Sequence, residues 1–305
     1  MTRRSLFLCA ALLGTYFSAA SPLAAQNSPI SGDPAADKAY PAAMLSFQLP
    51  SHGALLNAFV YIAAGASPHP TVILLHGFPG NERNLDLAQS IRRAGWDVLY
   101  FDYRGSWGSP GDFSFTHCIE DTQSAIAYLR EPANAVKLRS DTHTIVLIGH
   151  SMGGFMALQV GALDPAVKAV IAISAADLGT SRVQNVPAAK REFAVKGLAA
   201  GLAREGMAPL AGTTPENLAN EVLANAANWT FVNLAPKLAT RPLLVITSDD
   251  GLALPSNALV DAVGKLPGQN VERVHIPTDH SYSDHRIALQ QAVIDYLAPI
   301  AIGER

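Results

Sequence analysis

The chain has 305 residues, 49% of them hydrophobic and 15% charged, with a formal net charge of -3. That mixture is the composition of a packed globular protein and excludes a disordered, collagenous or low-complexity chain. The balance is slightly acidic and no basic stripe is visible, so nucleic acid is not an expected partner.

The chain opens with MTRRSLFLCAALLGTYFSAASPLAAQ, in which Arg3 and Arg4 precede an apolar run from Leu6 to Phe17 and then small residues. The run is shorter than the roughly 20 residues a membrane-spanning helix needs. Its order of charge, apolar run and small residues is that of a secretory signal peptide. The expectation is a signal peptide over 1–25, cleaved after Ala20 or Ala25. The mature protein would then be periplasmic or secreted, without stable membrane insertion. An uncleaved anchor is the alternative, and the pattern leaves Sec and twin-arginine export both open. Cleavage would leave Cys118 as the only cysteine, so no intrachain disulfide is expected. With no Gly-x-Cys-x-Gly setting, Cys118 reads as a structural thiol.

After a Pro/Ser/Ala-rich spacer, MLSFQLPSHGALLNAFVYI reads as a hairpin, with turn residues from Pro50 to Gly53. Five apolar, β-branched runs follow at 71–77, 96–105, 143–151, 167–174 and 241–248. Runs apolar at consecutive positions imply strands buried on both faces, as in a parallel sheet. Between them, NLDLAQSIRRAG, IEDTQSAIAYLR and GGFMALQVGAL carry helical spacing. This βαβα rhythm predicts an α/β fold, a mostly parallel sheet with helices on both faces, over 26–305. From about 175 to 240 the strand signal lapses into helix-leaning, Ala-rich sequence. An insertion there predicts a helical cap over the carboxyl ends of the strands, where ligands of open α/β sheets bind. A strand in VERVHIP and a helix in SDHRIALQQAVIDYL end the chain.

The chemistry is carried first by Gly149-His150-Ser151-Met152-Gly153, which fits Gly-x-Ser-x-Gly between a buried strand and a helix. A serine nucleophile needs a sharp turn to stand clear of the sheet, and small neighbours keep the backbone from clashing there. The serine needs a base and the base an orienting acid, expected in the order acid then histidine. Asp249 and Asp250 follow the strand RPLLVITS, and His280 follows VERVHIP. Asp250 is favoured as acid, with Asp249 the alternative. His280 is favoured over His285, which falls inside the expected last helix, and over His275, expected to pack within its strand. His150 is expected to point away from the role of base. The oxyanion of an acyl transfer needs donors, expected from the Met152 amide and, in LLHGFPGN, the Phe78 amide. His76 reads as a buried hydrogen-bonding residue. The histidines lack the spacing of a helical metal site, so neither metal nor other cofactor is expected.

The set HGF, FDYRGSWGSPG, GHSMGG, SDD and DHS resembles the α/β-hydrolase superfamily from about residue 71 to the C-terminus. Within it the chain is most similar to serine esterases and to serine aminopeptidase or prolyl-oligopeptidase-like members. The resemblance implies Arg104 and Gly105 at the site rim, without a catalytic role. The acid loop departs from the common Gly-x-x-Asp pattern, an ungapped comparison placing Gly251 at the acid position. The function implied is a metal-independent serine hydrolase acting on carboxylic esters, with a small-molecule ester or short peptide as substrate. The alternative is a peptidase or amidase with the same residues, for which Glu192, Glu205 or Glu216 could anchor a free amino terminus. An acyltransferase or a non-catalytic binding protein is less favoured.

Overall fold

Strands β1 (Ala43–Ser51) and β2 (Ala54–Ile62) pair antiparallel, with Ser51 opposite Ala54. The two linking residues, His52 and Gly53, both have positive φ (46° and 82°), the geometry of a two-residue hairpin turn. The computed structural model describes residues 28–180 and 183–303, so the signal peptide expected over 1–25 lies outside the described residues.

The hairpin is the antiparallel edge of an eight-stranded sheet completed by β3 (His69–Leu75), β4 (Asp97–Phe101), β5 (Ser140–His150), β6 (Ala169–Ile173), β7 (Pro242–Thr247) and β8 (Asn270–His275). The order is β1-β2-β4-β3-β5-β6-β7-β8, parallel from β4 to β8. The apolar runs are the interior strands, and every residue of β4 and β6 is buried. Helices α1 (Leu85–Arg93), α2 (Phe115–Arg130), α3 (Pro132–Leu138) and α4 (Met152–Leu163) follow β3, β4 and β5. α8 (Ala253–Val263) and α9 (Arg286–Ala301) follow β7 and β8. α3 and α8 were not legible as helices, and α2 begins earlier than its apolar spacing suggested. α1 and α9 bury Leu87, Ile91, Leu289 and Val293 on one face of the sheet. α2 and α4 bury Ile126, Phe155 and Leu158 on the other.

α4 is buried from Met152 to Ala162, as a helix apolar all round must be. It is covered on its outer side by the stretch between β6 and β7. There α5 (Arg191–Arg204), α6 (Pro215–Trp229) and the short α7 (Ala235–Leu238) are built. Trp229 of α6 lies 5.4 Å from the Phe155 ring of α4. Glu221 of α6 accepts the Phe115 and Thr116 amides at 3.0 and 2.7 Å, capping the start of α2. The stretch is stitched to the loop after β4 by Trp107 N–H to Pro209 O (3.0 Å) and Ala211 N–H to Gly105 O (2.8 Å).

The chain leaves β3 for β4 on one side and returns to place β5 on the other. At such a reversal the loops after the two strands part to opposite faces and leave a crevice at their carboxyl ends. Here those are the loop before α1 and the turn into α4.

Candidate active site

Ser151 occupies the turn between β5 and α4, with φ 58° and ψ -119°. A non-glycine residue in that region costs about 1–3 kcal/mol and persists only where its surroundings enforce it. They do so through the Ser151 N–H donated to Ile173 O at 2.9 Å and the Ser151 carbonyl accepting from Ala176 N–H at 3.0 Å. The flanking glycines answer a steric demand. A Cβ on Gly149 would strike the Gly153 carbonyl, and one on Gly153 the carbonyl of Leu75 in β3. The turn therefore presses against its own helix and the neighbouring strand at once. Gly77, in the loop after β3, comes so near that an added Cβ would lie 3.0 Å from the Ser151 Cβ.

A cleft of about 160 Å³ brings together Gly77, Phe78, Ser151, His150, His280 and Glu205. Larger hollows exist, about 550 Å³ near Arg130 and Asp164 and about 400 Å³ beside Phe59 and Arg83. Neither contains a serine, cysteine or threonine beside a histidine. Met152 is the first residue of α4, where the N–H has no acceptor within the helix and lies at the positive end of the helix dipole. Phe78 packs its ring against Phe113 and Phe115 at 5.8 and 6.0 Å, which fixes the course of the loop that carries its amide.

Of the two adjacent acids, Asp250 meets the histidine. His280 Nδ1 lies 2.8 Å from Asp250 Oδ2, and Asp250 Oδ1 accepts the Leu252 N–H at 2.8 Å. The Asp250 side chain is 3% exposed and that of His280 39%. Burial works against the Asp250 charge. The His280 hydrogen bond, then the Leu252 amide and the Ser174 hydroxyl, outweigh it and hold the carboxyl well below the usual carboxylate range. Asp249 faces elsewhere, 3.2 Å from His275 Nε2. That pairing corrects the expectation for His275. It ends β8 with its side chain half exposed, and its Nδ1 is 3.0 Å from Thr247 Oγ1 because the register sets Thr247 opposite His275.

His285 also departs from expectation. α9 starts at Arg286, so His285 is the residue preceding the helix and not within it. Its ring pairs with the neighbouring Asp284 at 2.8 Å. Arg104, implied at the site rim, is instead buried against α2. Its Nε reaches Asp121 at 2.7 Å and its Nη2 reaches Glu120 at 2.5 Å. Glu120 and Asp121 lie within α2, 16 and 17 residues after Arg104, and no spacing rule links them to it, so nothing in the sequence signalled that clamp.

Two buried histidines surround the site. His150 donates from Nε2 to the His280 carbonyl at 2.7 Å, and its ring lies 4.6 Å from the His280 ring. Burial, reinforced by His280, lowers its pKa to about 4. His76, fully buried, donates from Nδ1 to Gly77 O at 2.8 Å and is lowered by burial to about 4 as well. Both are therefore neutral near pH 7. His150 holds the backbone of the histidine loop, a role the sequence did not announce beyond its place in the elbow. Cys118 is buried, and burial raises its thiol pKa well above the ordinary value.

Among the described residues, no group of three or more His, Cys, Asp or Glu side chains is arranged to hold a metal ion. Within the same residues, no helix is long and apolar enough to cross a membrane.

A strained serine between close-packed glycines, at the carboxyl edge of a mostly parallel sheet, defines a class. The alpha/beta hydrolase fold family matches residues 70–244, more than half of the chain, and the protein belongs to that family. Over 93 residues it is 38% identical to the uncharacterized protein YfhR of Escherichia coli (strain K12), 30% of each chain. Over 108 residues it is 32% identical to the sn-1-specific diacylglycerol lipase ABHD11 of Xenopus tropicalis, 33% of this chain and 30% of that one. The chain thus spans under a third of the length of these curated relatives. Among solved structures, Est1E from Butyrivibrio proteoclasticus with ferulic acid bound superposes with a TM-score of 0.59 and 21% identity. That match covers 82% of this chain and 97% of the other. An esterase of Pyrobaculum calidifontis gives 0.60 and 20%, covering 87% of each chain. At these identities the likeness is one of fold.

Proposed function

We propose that the protein is a serine hydrolase that cleaves carboxylic esters through an acyl-enzyme. The observation that carries this reading is the 2.8 Å bond between Asp250 and the Nδ1 of His280, a histidine that lines the same cleft as Ser151. A proton held on Nδ1 by the acid leaves Nε2 unprotonated, the form a general base requires. Ser151 Oγ attacks the acyl carbon and its proton passes to His280 Nε2. The oxygen of the tetrahedral intermediate takes hydrogen bonds from the Met152 and Phe78 amides. On collapse, His280 returns the proton to the leaving alcohol. Water, activated by the same imidazole, then releases the acid and restores Ser151. The neutral His150 adds no positive charge against the imidazolium formed at each step. The segment 175–240 serves as a cap, and Glu205 is its residue in the cleft. The small cleft favours short acyl chains.

A second reading, peptide or amide hydrolysis with the same residues, draws support from Glu205. Glu205 lines the cleft and Glu192 and Glu216 do not, Glu192 being exposed and paired with Lys196 at 2.9 Å. Turnover of p-nitrophenyl acetate and butyrate, beside aminoacyl nitroanilides, by wild type and Ser151→Ala tests both. Ester turnover abolished by Ser151→Ala supports the first reading, and turnover of nitroanilides alone supports the second. Turnover retained in Ser151→Ala overturns both. The N-terminal sequence supports an exported setting, which the amino-terminal mass of the protein from a periplasmic or culture fraction would test.

A further inference from the structure

Three hydroxyl groups from three separate loops meet beside Asp250. Ser174 follows β6, Ser248 follows β7, and Tyr282 lies between β8 and α9. Ser174 Oγ is 2.9 Å from Ser248 Oγ and 2.9 Å from Tyr282 OH. All three are buried, at 2%, 1% and 0% exposure, so bulk water does not complete their hydrogen bonding. Ser174 and Tyr282 both hold positive φ, 42° and 57°. Strained backbone at two of three members marks a constellation enforced by its surroundings. Burial raises the Tyr282 phenol to about 12, so it stays a donor.

The acceptor-only character of the carboxylate decides how the cluster is wired. Tyr282 is within hydrogen-bonding reach of Ser248 as well as Ser174. A carboxylate, however, can only accept, so the Ser174 proton is directed to Asp250, and Ser248 and Tyr282 are the donors to Ser174. A serine oxygen can accept two hydrogen bonds while donating one. With Ser248 and Tyr282 both donating to Ser174, the Ser174 proton remains for the nearest anion. That anion is Asp250, on which the Ser174 hydroxyl acts. A donor to a carboxylate makes a stronger bond than one to a neutral oxygen, and donors feeding the donor strengthen it further. The other charged and titratable groups around the acid are already engaged. His280 uses its Nδ1, His150 is bound to the His280 carbonyl, Arg286 is spent on Asp86 at 2.5 Å, and Asp249 faces His275.

We propose that Ser174, fed by Ser248 and Tyr282, is a positioning residue whose hydroxyl fixes the orientation of the Asp250 carboxylate that holds His280. This inference rests on the serine-hydrolase reading above. Removing the hydroxyl loosens the acid and lowers kcat. It also leaves the carboxylate with one donor fewer, so it pulls harder on the imidazolium charge.

The test combines the pH profile of kcat/KM on p-nitrophenyl acetate with the far-downfield proton resonance of the His280 Nδ1–H bond. Ser174→Ala should lower kcat about tenfold, the loss expected for a hydrogen bond to a charged group, with KM little changed. The acidic limb of kcat/KM should move to higher pH, and the resonance further downfield. Ser174→Gly suits the positive φ and should give the same result if the alanine variant does not fold. Tyr282→Phe should move both readouts in the same direction by less, and should have no effect in the Ser174→Ala background. An unmoved limb and resonance, or additive effects in the double variant, would overturn the proposal. If wild type shows no ester turnover that Ser151→Ala abolishes, the hydrolase reading fails, and the resonance alone still decides whether Ser174 acts on the His280–Asp250 bond.

Discussion

The two halves of the candidate site are held by different forces. On the nucleophile side, two backbone hydrogen bonds hold Ser151 and exclusion does the rest: at Gly149 and Gly153 backbone meets backbone so closely that no Cβ fits. On the acid–base side, Asp250 and His280 come from loops at the end of the sheet and are fixed by hydrogen bonds. Close packing is indifferent to pH and fails all at once when overfilled. A polar network fails gradually, through protonation and through each lost donor. The site should therefore break in two distinguishable ways.

The largest effects belong to the groups proposed to react. Ser151→Ala and His280→Ala should each lower kcat by on the order of 10⁴-fold or more without lowering the midpoint of denaturant unfolding. Asp250→Asn should cost about 10³- to 10⁴-fold, whereas Asp249→Asn and His285→Ala should leave ester turnover nearly intact. Loss of activity in Asp249→Asn with retention in Asp250→Asn would reverse the assignment of the acid. Gly153→Ala tests the steric half. Its Cβ would press on the Leu75 carbonyl, and it should cost on the order of 3 kcal/mol or more of stability, read from urea unfolding.

The two buried histidines should show in the pH dependence of stability. His150 and His76 have folded pKa values lowered from 6.5 to about 4. The unfolded chain therefore binds more protons between those values, and stability falls as pH drops through that window. Each histidine accounts for about 3 kcal/mol at the acid end. His150→Phe should remove about half of the slope while wild type keeps it. Smallest of all should be acyl-chain discrimination: p-nitrophenyl butyrate should turn over faster than the palmitate ester, in keeping with a cleft of about 160 Å³.

The sequence showed the steric half plainly. Consecutive apolar residues betrayed the buried strands, and a serine between glycines at a strand end betrayed the elbow. The order of Asp250 and His280 was readable too, but their contact was not, because it depends on how β7 and β8 align. That register, with Thr247 opposite His275, pulls Asp249 toward His275 and leaves Asp250 to His280. The hold of His150 on the His280 carbonyl spans 130 residues, and Ser174, Ser248 and Tyr282 are unremarkable until three loops bring them together. Such contacts have no spacing rule. α8 is masked in the sequence because its start adjoins the acid loop, where turn-forming residues interrupt the helical pattern.

The central claim is that Ser151 is a nucleophile made reactive by His280 and Asp250. The most direct measurement is the intact mass after treatment with a fluorophosphonate, followed by peptide mapping of wild type, Ser151→Ala and His280→Ala. A single adduct on Ser151 in wild type, absent from Ser151→Ala and strongly slowed in His280→Ala, is the predicted result. An unlabelled wild type, or an adduct that persists in Ser151→Ala, would contradict it.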